Sequence, residues 1–143
     1  MKTIALISCV KTKCKVINPI EAYKLYISDL FKKSLNYCRC NYDETYILSA
    51  KYGLLKLNDK ILPYEFTLKN QQVSYKIAWA IKVNYQLNEI INPDDVIYFH
   101  CGLEYREHLI KLLKNKYHIP LEGISFGNQL KYYKQHLIAN TLF

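Results

Sequence analysis

The residues best suited to chemistry stand at the ends of three apolar runs. Tyr46-Ile-Leu-Ser-Ala-Lys-Tyr-Gly-Leu-Leu55 delivers Ser49, Lys51 and Tyr52 just before Gly53. Ile4-Ala-Leu-Ile-Ser-Cys-Val-Lys-Thr-Lys13 delivers Ser8, Cys9, Lys11 and Lys13, and Val96-Ile-Tyr-Phe-His-Cys-Gly102 delivers His100 and Gly102. Small residues let backbone N–H groups approach an anion, and Lys11, Lys13 and Lys51 bring the charge that neutralises a phosphate or carboxylate. Tyr52 can stack on a base or donate a hydrogen bond. Cys9 is a candidate nucleophile, because nearby lysines favour the thiolate, and His100 is the base that could serve it. Glu65, in Pro63-Tyr-Glu65, is a candidate general base or acceptor for a ligand amine or hydroxyl. Tyr64 and Tyr105 are placed beside it as ligand contacts, and Lys51 joins Glu65, Cys9 and His100 as a catalytic candidate. Each has a plainer reading: a solvated basic loop, a strand exit with a turn glycine, a small buried thiol, a surface glutamate, a structural histidine.

These residues need a frame that brings strand ends together. Lys2 to Cys9, Thr45 to Ala50 and Val96 to His100 are short apolar runs without polar alternation, as in the buried strands of a parallel sheet. Asn18-Pro-Ile-Glu21 has the form of a helix start, and Tyr23, Tyr26, Ile27, Leu30, Phe31 and Leu35 share a helical face, so one helix is expected to about Cys38. Lys51 to Leu68 shows no period and reads as a long loop, a feature that is often functional. Lys69 to Ile91 is expected to be helical, with Val73, Ile77, Ala80, Ile81 and Leu87 on its apolar face, and Asn92-Pro93 stops it. Tyr105, Leu109, Leu112 and Leu113 mark another helix, a short fourth strand is expected between Tyr117 and Ser125, and a final helix carries Leu130 and Tyr133. The order implies a single three-layer α/β domain over 1–143, with a mostly parallel four-stranded sheet and helices on both faces. Ligands of such sheets bind outside the carboxyl ends of the strands, where strand order reverses.

Composition narrows the function classes. Half of the 143 residues are apolar, which excludes a disordered chain. No apolar run approaches the roughly 18 residues that span a bilayer, and no secretory signature precedes the first strand, so a cytoplasmic protein without a membrane partner is expected. Five cysteines form no CxxC pair; neither a disulfide framework nor a metal site is expected. No P-loop or dinucleotide fingerprint occurs, and no cofactor is expected. Net charge is +8, with only Arg39 and Arg106 among 20 basic residues. That balance attracts polyanions such as nucleic acid or phosphorylated ligands, without the bidentate fork that reads guanine edges.

Leu6-Ile-Ser-Cys-Val-Lys-Thr12, Leu48-Ser-Ala-Lys-Tyr-Gly-Leu-Leu55 and Ile61-Leu-Pro-Tyr-Glu-Phe-Thr-Leu68 resemble, in order, segments of the YaaA-like proteins associated with peroxide stress. Gly102-Leu-Glu-Tyr105 and Pro120-Leu-Glu-Gly-Ile-Ser-Phe-Gly-Asn-Gln-Leu130 extend the resemblance, toward a shorter bacterial and phage group, over nearly the whole chain. The Ser8-Cys9 segment is also similar to one in archaeosine synthase, which attaches an amine to a modified tRNA base. The resemblance implies a nucleobase, nucleotide or nucleic acid as ligand, with base-modifying, glycosidase or transferase chemistry in the strand-end cleft. It equally implies a non-catalytic DNA-binding protein of the stress response. A protein-interaction module with a vestigial cleft is a third reading. The full-length YaaA proteins carry a helix-hairpin-helix-like insertion for which this chain has no room.

Overall fold

The most apolar tetrapeptide of the N-terminal segment sets the architecture. In the computed structural model, which describes residues 1–10 and 13–141, Ile4 to Ile7 are fully buried within strand β1 (Thr3–Ser8). A strand without polar alternation belongs at the centre of a parallel sheet. β1 indeed pairs in parallel with β3 (Glu44–Ser49) on one side and with β6 (Val96–His100) on the other. Ser8 lies level with Leu48, and Ile7 with His100, so the three carboxyl ends finish at the same height.

Two further strands complete the sheet. β4 (Gly53–Lys56) returns antiparallel along β3, and β7 (Tyr117–His118) pairs in parallel with β6, giving the order β4-β3-β1-β6-β7. The sheet therefore has five strands, not four. The extra strand lies inside the stretch read as a long loop, where Gly-Leu-Leu-Lys is too short to show a period of two. The same stretch also holds β5 (Lys60–Ile61), which pairs antiparallel with β2 (Ile20–Glu21) as a separate ribbon.

That ribbon overturns the expected helix start. Pro19 precedes an extended pair, not a first helical turn, and the helix from Asn18 to Cys38 is in fact two: α1 (Ala22–Leu25) and α2 (Asp29–Asn41). Ser28 caps α2, its Oγ accepting the Phe31 N–H at 3.2 Å, and Asp29 sits in the first turn where the helix dipole favours an acid. The break leaves Tyr26, 1 % exposed, between the two helices and directed into the core.

Helix α3 (Val73–Asn88) is rotated from the expected face. It buries Trp79, Ala80, Val83 and Leu87, while Val73, Ile77 and Ile81 are exposed. Trp79 decides the rotation: its Nε1–H donates to the Ser49 carbonyl at 2.9 Å, which anchors one side of the helix on the end of β3. Gln86, two turns later, accepts the Leu54 N–H at 2.8 Å and repeats the anchor on β4. α3 packs against α4 (Leu103–Leu112), and α2 packs against α5 (Phe126–Thr141). Among the described residues no helix is long and apolar enough to cross a membrane.

Gly53 is where β3 and β4 meet α3. Its φ is +78°, and an added Cβ would stand 2.5 Å from Gln86 Oε1. Gly53→Ala should therefore cost about 2 kcal/mol, combining left-handed backbone strain with loss of the Gln86 anchor. Urea denaturation at neutral pH measures this, and Gln86→Ala, which removes the anchor alone, should cost less.

Candidate functional site

β1 lies between β3 and β6, so strand order reverses at β1, where an α/β sheet opens a crevice for ligands. The chemistry-bearing residues do gather at this edge, in two groups.

The first group forms behind β1 and β3. Ser49 is fully buried. Its Oγ accepts the Tyr52 N–H at 3.1 Å and lies 2.8 Å from Tyr64 Oη, which is 2.7 Å from Tyr26 Oη. This hydroxyl chain fixes the Tyr64 ring. Burial pushes both phenols up from their ordinary range, so they stay protonated. Tyr52 packs edge-on against Tyr64, with ring centroids 5.6 Å apart. The Lys13 ammonium sits 4.3 Å from the Tyr64 ring centroid, a cation–π distance. Burial lowers the Lys13 pKa, opposed by the nearby Cys9 and Glu65. Lys51 is exposed, with Nζ 5.3 Å from the Tyr52 ring centroid.

Glu65 reaches solvent between two cavities of about 420 Å³ each. Lys13, Thr67, Asn70 and Gln71 line one, Lys51 and Tyr75 line the other, and Tyr64, Glu65 and Phe66 are common to both. Cys9 lies nearby but is 8 % exposed; its N–H donates to the Leu48 carbonyl, and Sγ is 3.3 Å from Tyr105 Oη. Burial, and then Cys9, push the Tyr105 phenol up. Lys11 lies outside the described residues.

The second group forms between β1 and β6. Ser8, His100 and Gly102 line a cavity of about 230 Å³ closed by Phe126, Gln129 and Tyr133 of α5. A neighbouring cavity of about 200 Å³ shares His100, Gly102, Gln129 and Tyr133 and adds Arg106 and Glu122. His100 is clamped: Nε2 is 2.7 Å from Tyr42 Oη and Nδ1 is 2.7 Å from Tyr133 Oη. Burial lowers its pKa from 6.5 to about 4, so near neutrality it is an uncharged ring with both nitrogens engaged. Burial pushes the adjacent Cys101 thiol up to about 12. His100, held by Tyr42 and Tyr133, and Cys9, beside Tyr105, thus belong to different hydrogen-bonded groups.

Lys13, Lys51, Tyr64 and Glu65 are brought together; Ser49, Tyr52 and Gly53 hold that arrangement from behind; Ser8, His100 and Gly102 belong to the other group. Tyr26, Phe66, Thr67, Asn70, Gln71 and Tyr75 escaped the sequence reading. The amide run Asn70-Gln-Gln72, shortly beyond Pro63-Tyr-Glu65, was the available signal for the polar ones. Tyr26 had none, because its partner Tyr64 is 38 residues away. All five cysteines are free, and among the described residues no group of three or more His, Cys, Asp or Glu could hold a metal ion.

This is an α/β protein whose mostly parallel sheet carries tyrosine-rich and lysine-rich cavities at its strand ends. Residues 4–135 match DUF6884, a family of unknown function, and the chain belongs to that family. No curated protein and no solved structure matches it.

Two outcomes follow from the hydrogen bonds. Tyr64→Phe leaves the buried Tyr26 hydroxyl and Ser49 Oγ without their shared partner and should cost about 1–3 kcal/mol in urea denaturation. Between pH 6.5 and about 4 the unfolded chain binds a proton at His100 that the folded chain does not. Stability there rises with pH and is lost on acidification, by up to roughly 3 kcal/mol from this ring. His100→Gln should be less stable at pH 7 and should show a shallower loss between pH 6.5 and 4.

Proposed function

We propose that the chain binds a nucleobase-containing ligand, a nucleotide or nucleic acid, at the Tyr64–Phe66 segment. The observation that carries this reading is Glu65: a carboxylate between two cavities, each with its own lysine and with aromatic rings in its wall. Lysine answers phosphate, the rings answer a base, and a carboxylate accepts from amino or ring N–H groups. Cavities of this size fall within the range for small-molecule sites. The resemblance of Leu48–Leu55 and Ile61–Leu68 to YaaA-like proteins points the same way. In this reading Lys13 and Lys51 hold the anion, Tyr64 presents its ring, and Glu65 anchors or deprotonates the base. We further read the fold as three layers with helices on both faces of the sheet, and the location as cytoplasmic.

A second reading, non-catalytic DNA binding in a stress response, has the net charge of +8 in its favour. The two separate in calorimetric titration with the nucleoside 5′-monophosphates and with duplex DNA. The site reading expects saturable nucleotide binding that Lys13→Ala weakens by about tenfold, the worth of one charge-assisted contact. It also expects preference for bases bearing amino groups, which Glu65→Gln should narrow because an amide both donates and accepts. Nucleotides that fail to bind, while duplex DNA binds with a steep salt dependence indifferent to Glu65, would favour the second reading.

A further inference from the structure

The two cavities around Glu65 are alike in size and different in chemistry. Each measures about 420 Å³, and they share only Tyr64, Glu65 and Phe66 as a common ridge. Each has a separate cation, Lys13 on one side and Lys51 on the other. Tyr64 and Phe66 give both an aromatic wall, and the Lys51 cavity adds Tyr75. Phe66 meets Tyr75 there with ring centroids 5.3 Å apart. Tyr64 is held by the hydroxyl chain to Tyr26 and Ser49. Neutral hydrogen-bonding side chains are unevenly divided between the two: Thr67, Asn70 and Gln71 line the Lys13 cavity and not the Lys51 one, while Asn70 and Gln71 also border a third concavity beside Tyr75.

We propose that these cavities are adjacent nucleotide subsites, so that the ligand is a stretch of single-stranded nucleic acid and not a free nucleotide. This rests on the nucleobase reading above and goes further by fixing the ligand as a polymer. A single nucleotide occupies a concavity of one such volume and leaves the other lysine and aromatic wall unused. A strand crossing the ridge uses both. Alternating cations and ring faces along a groove is the arrangement that binds single strands, since every base has a π-face and every linkage a charge. The Lys13 subsite, with its hydroxyl and two amides, discriminates among bases by hydrogen bonds. The Lys51 subsite, with Phe66 and Tyr75, accepts any base by stacking. Glu65 on the ridge repels a phosphate placed against it, which directs the linkage toward the lysines and leaves the carboxylate to base edges. A duplex cannot present its base faces to the ridge while they remain stacked.

The test is competition against fluorescein-labelled dC12 by fluorescence anisotropy, using deoxycytidine monophosphate, the dinucleotide dCpdC, unlabelled dC12 and a duplex of equal length. A parallel cytidine ribonucleotide series distinguishes DNA from RNA. The dinucleotide should compete about tenfold or more better than the mononucleotide. Lys51→Ala, an exposed change that leaves the fold intact by circular dichroism, should bring the dinucleotide close to the mononucleotide and flatten the salt dependence of dC12 by about 0.7 in slope. A dinucleotide no tighter than the mononucleotide overturns the inference and leaves the nucleobase reading standing. A duplex that competes as well as the single strand also overturns it. If no mononucleotide, dinucleotide or oligomer binds, the nucleobase reading falls with it.

Discussion

A single buried serine holds the strand-end region together. Ser49 closes β3, and its side chain and carbonyl engage three separate segments: Tyr52 N–H at the turn, Tyr64 in the segment after β5, and Trp79 on α3. Through Tyr64 the connection reaches Tyr26, between α1 and α2. None of these segments is adjacent in sequence to more than one of the others. A buried polar network is favourable only when every member is satisfied, and here hydroxyl, carbonyl, indole and phenols satisfy one another. An alanine at this position would take one partner from the Tyr64 phenol and remove the acceptor of the Tyr52 turn amide. The placement of Glu65 and Lys13 depends on this junction, because Tyr64 is the wall against which both are set.

The arrangement also assigns the two lysines different characters. Lys13 is half-buried against two aromatic faces and carries a lowered pKa from desolvation. Lys51 is solvated beside a single ring. A desolvated ammonium gains more from an arriving anion than a hydrated one does, since it has less water to surrender. The basic composition of the chain is therefore not a uniform coat. One cation is set into a polar cavity, and the other stands exposed in the wall of the neighbouring one.

Much of the framework was legible because it follows from local pattern. Ile4–Ile7 and Val96–His100 are apolar without alternation, and such runs have few places to go other than a parallel sheet. The strand ends could be aligned in advance because βαβ connections force them to one edge. What escaped was set by distant partners. Gly53–Lys56 is a strand because β3 offers it an edge, not because four residues announce one. The rotation of α3 follows from the Trp79 indole reaching a carbonyl 30 residues back, which no periodicity contains. Pro19 reads as a helix start until Lys60–Ile61 claims Ile20–Glu21 for a ribbon. At the site, Ser49, Lys51, Tyr64 and Glu65 were visible as residue types at a strand end or beside a turn. Their division of labour, with Ser49 inside and Glu65 outside, depends on burial, which composition does not encode.

Trp79 is the only tryptophan in the chain, and it is 4 % exposed, with its indole hydrogen-bonded at the junction and Tyr105 edge-on at 5.6 Å between ring centroids. The molecule therefore carries an intrinsic optical gauge at its own hub. Emission from one indole, fed by neighbouring phenols, reports the polarity and rigidity of the spot where β3, α3 and the Tyr64 wall converge. A ligand entering the cavities in front of that wall would register in the emission of the unlabelled protein, with no dye on its surface.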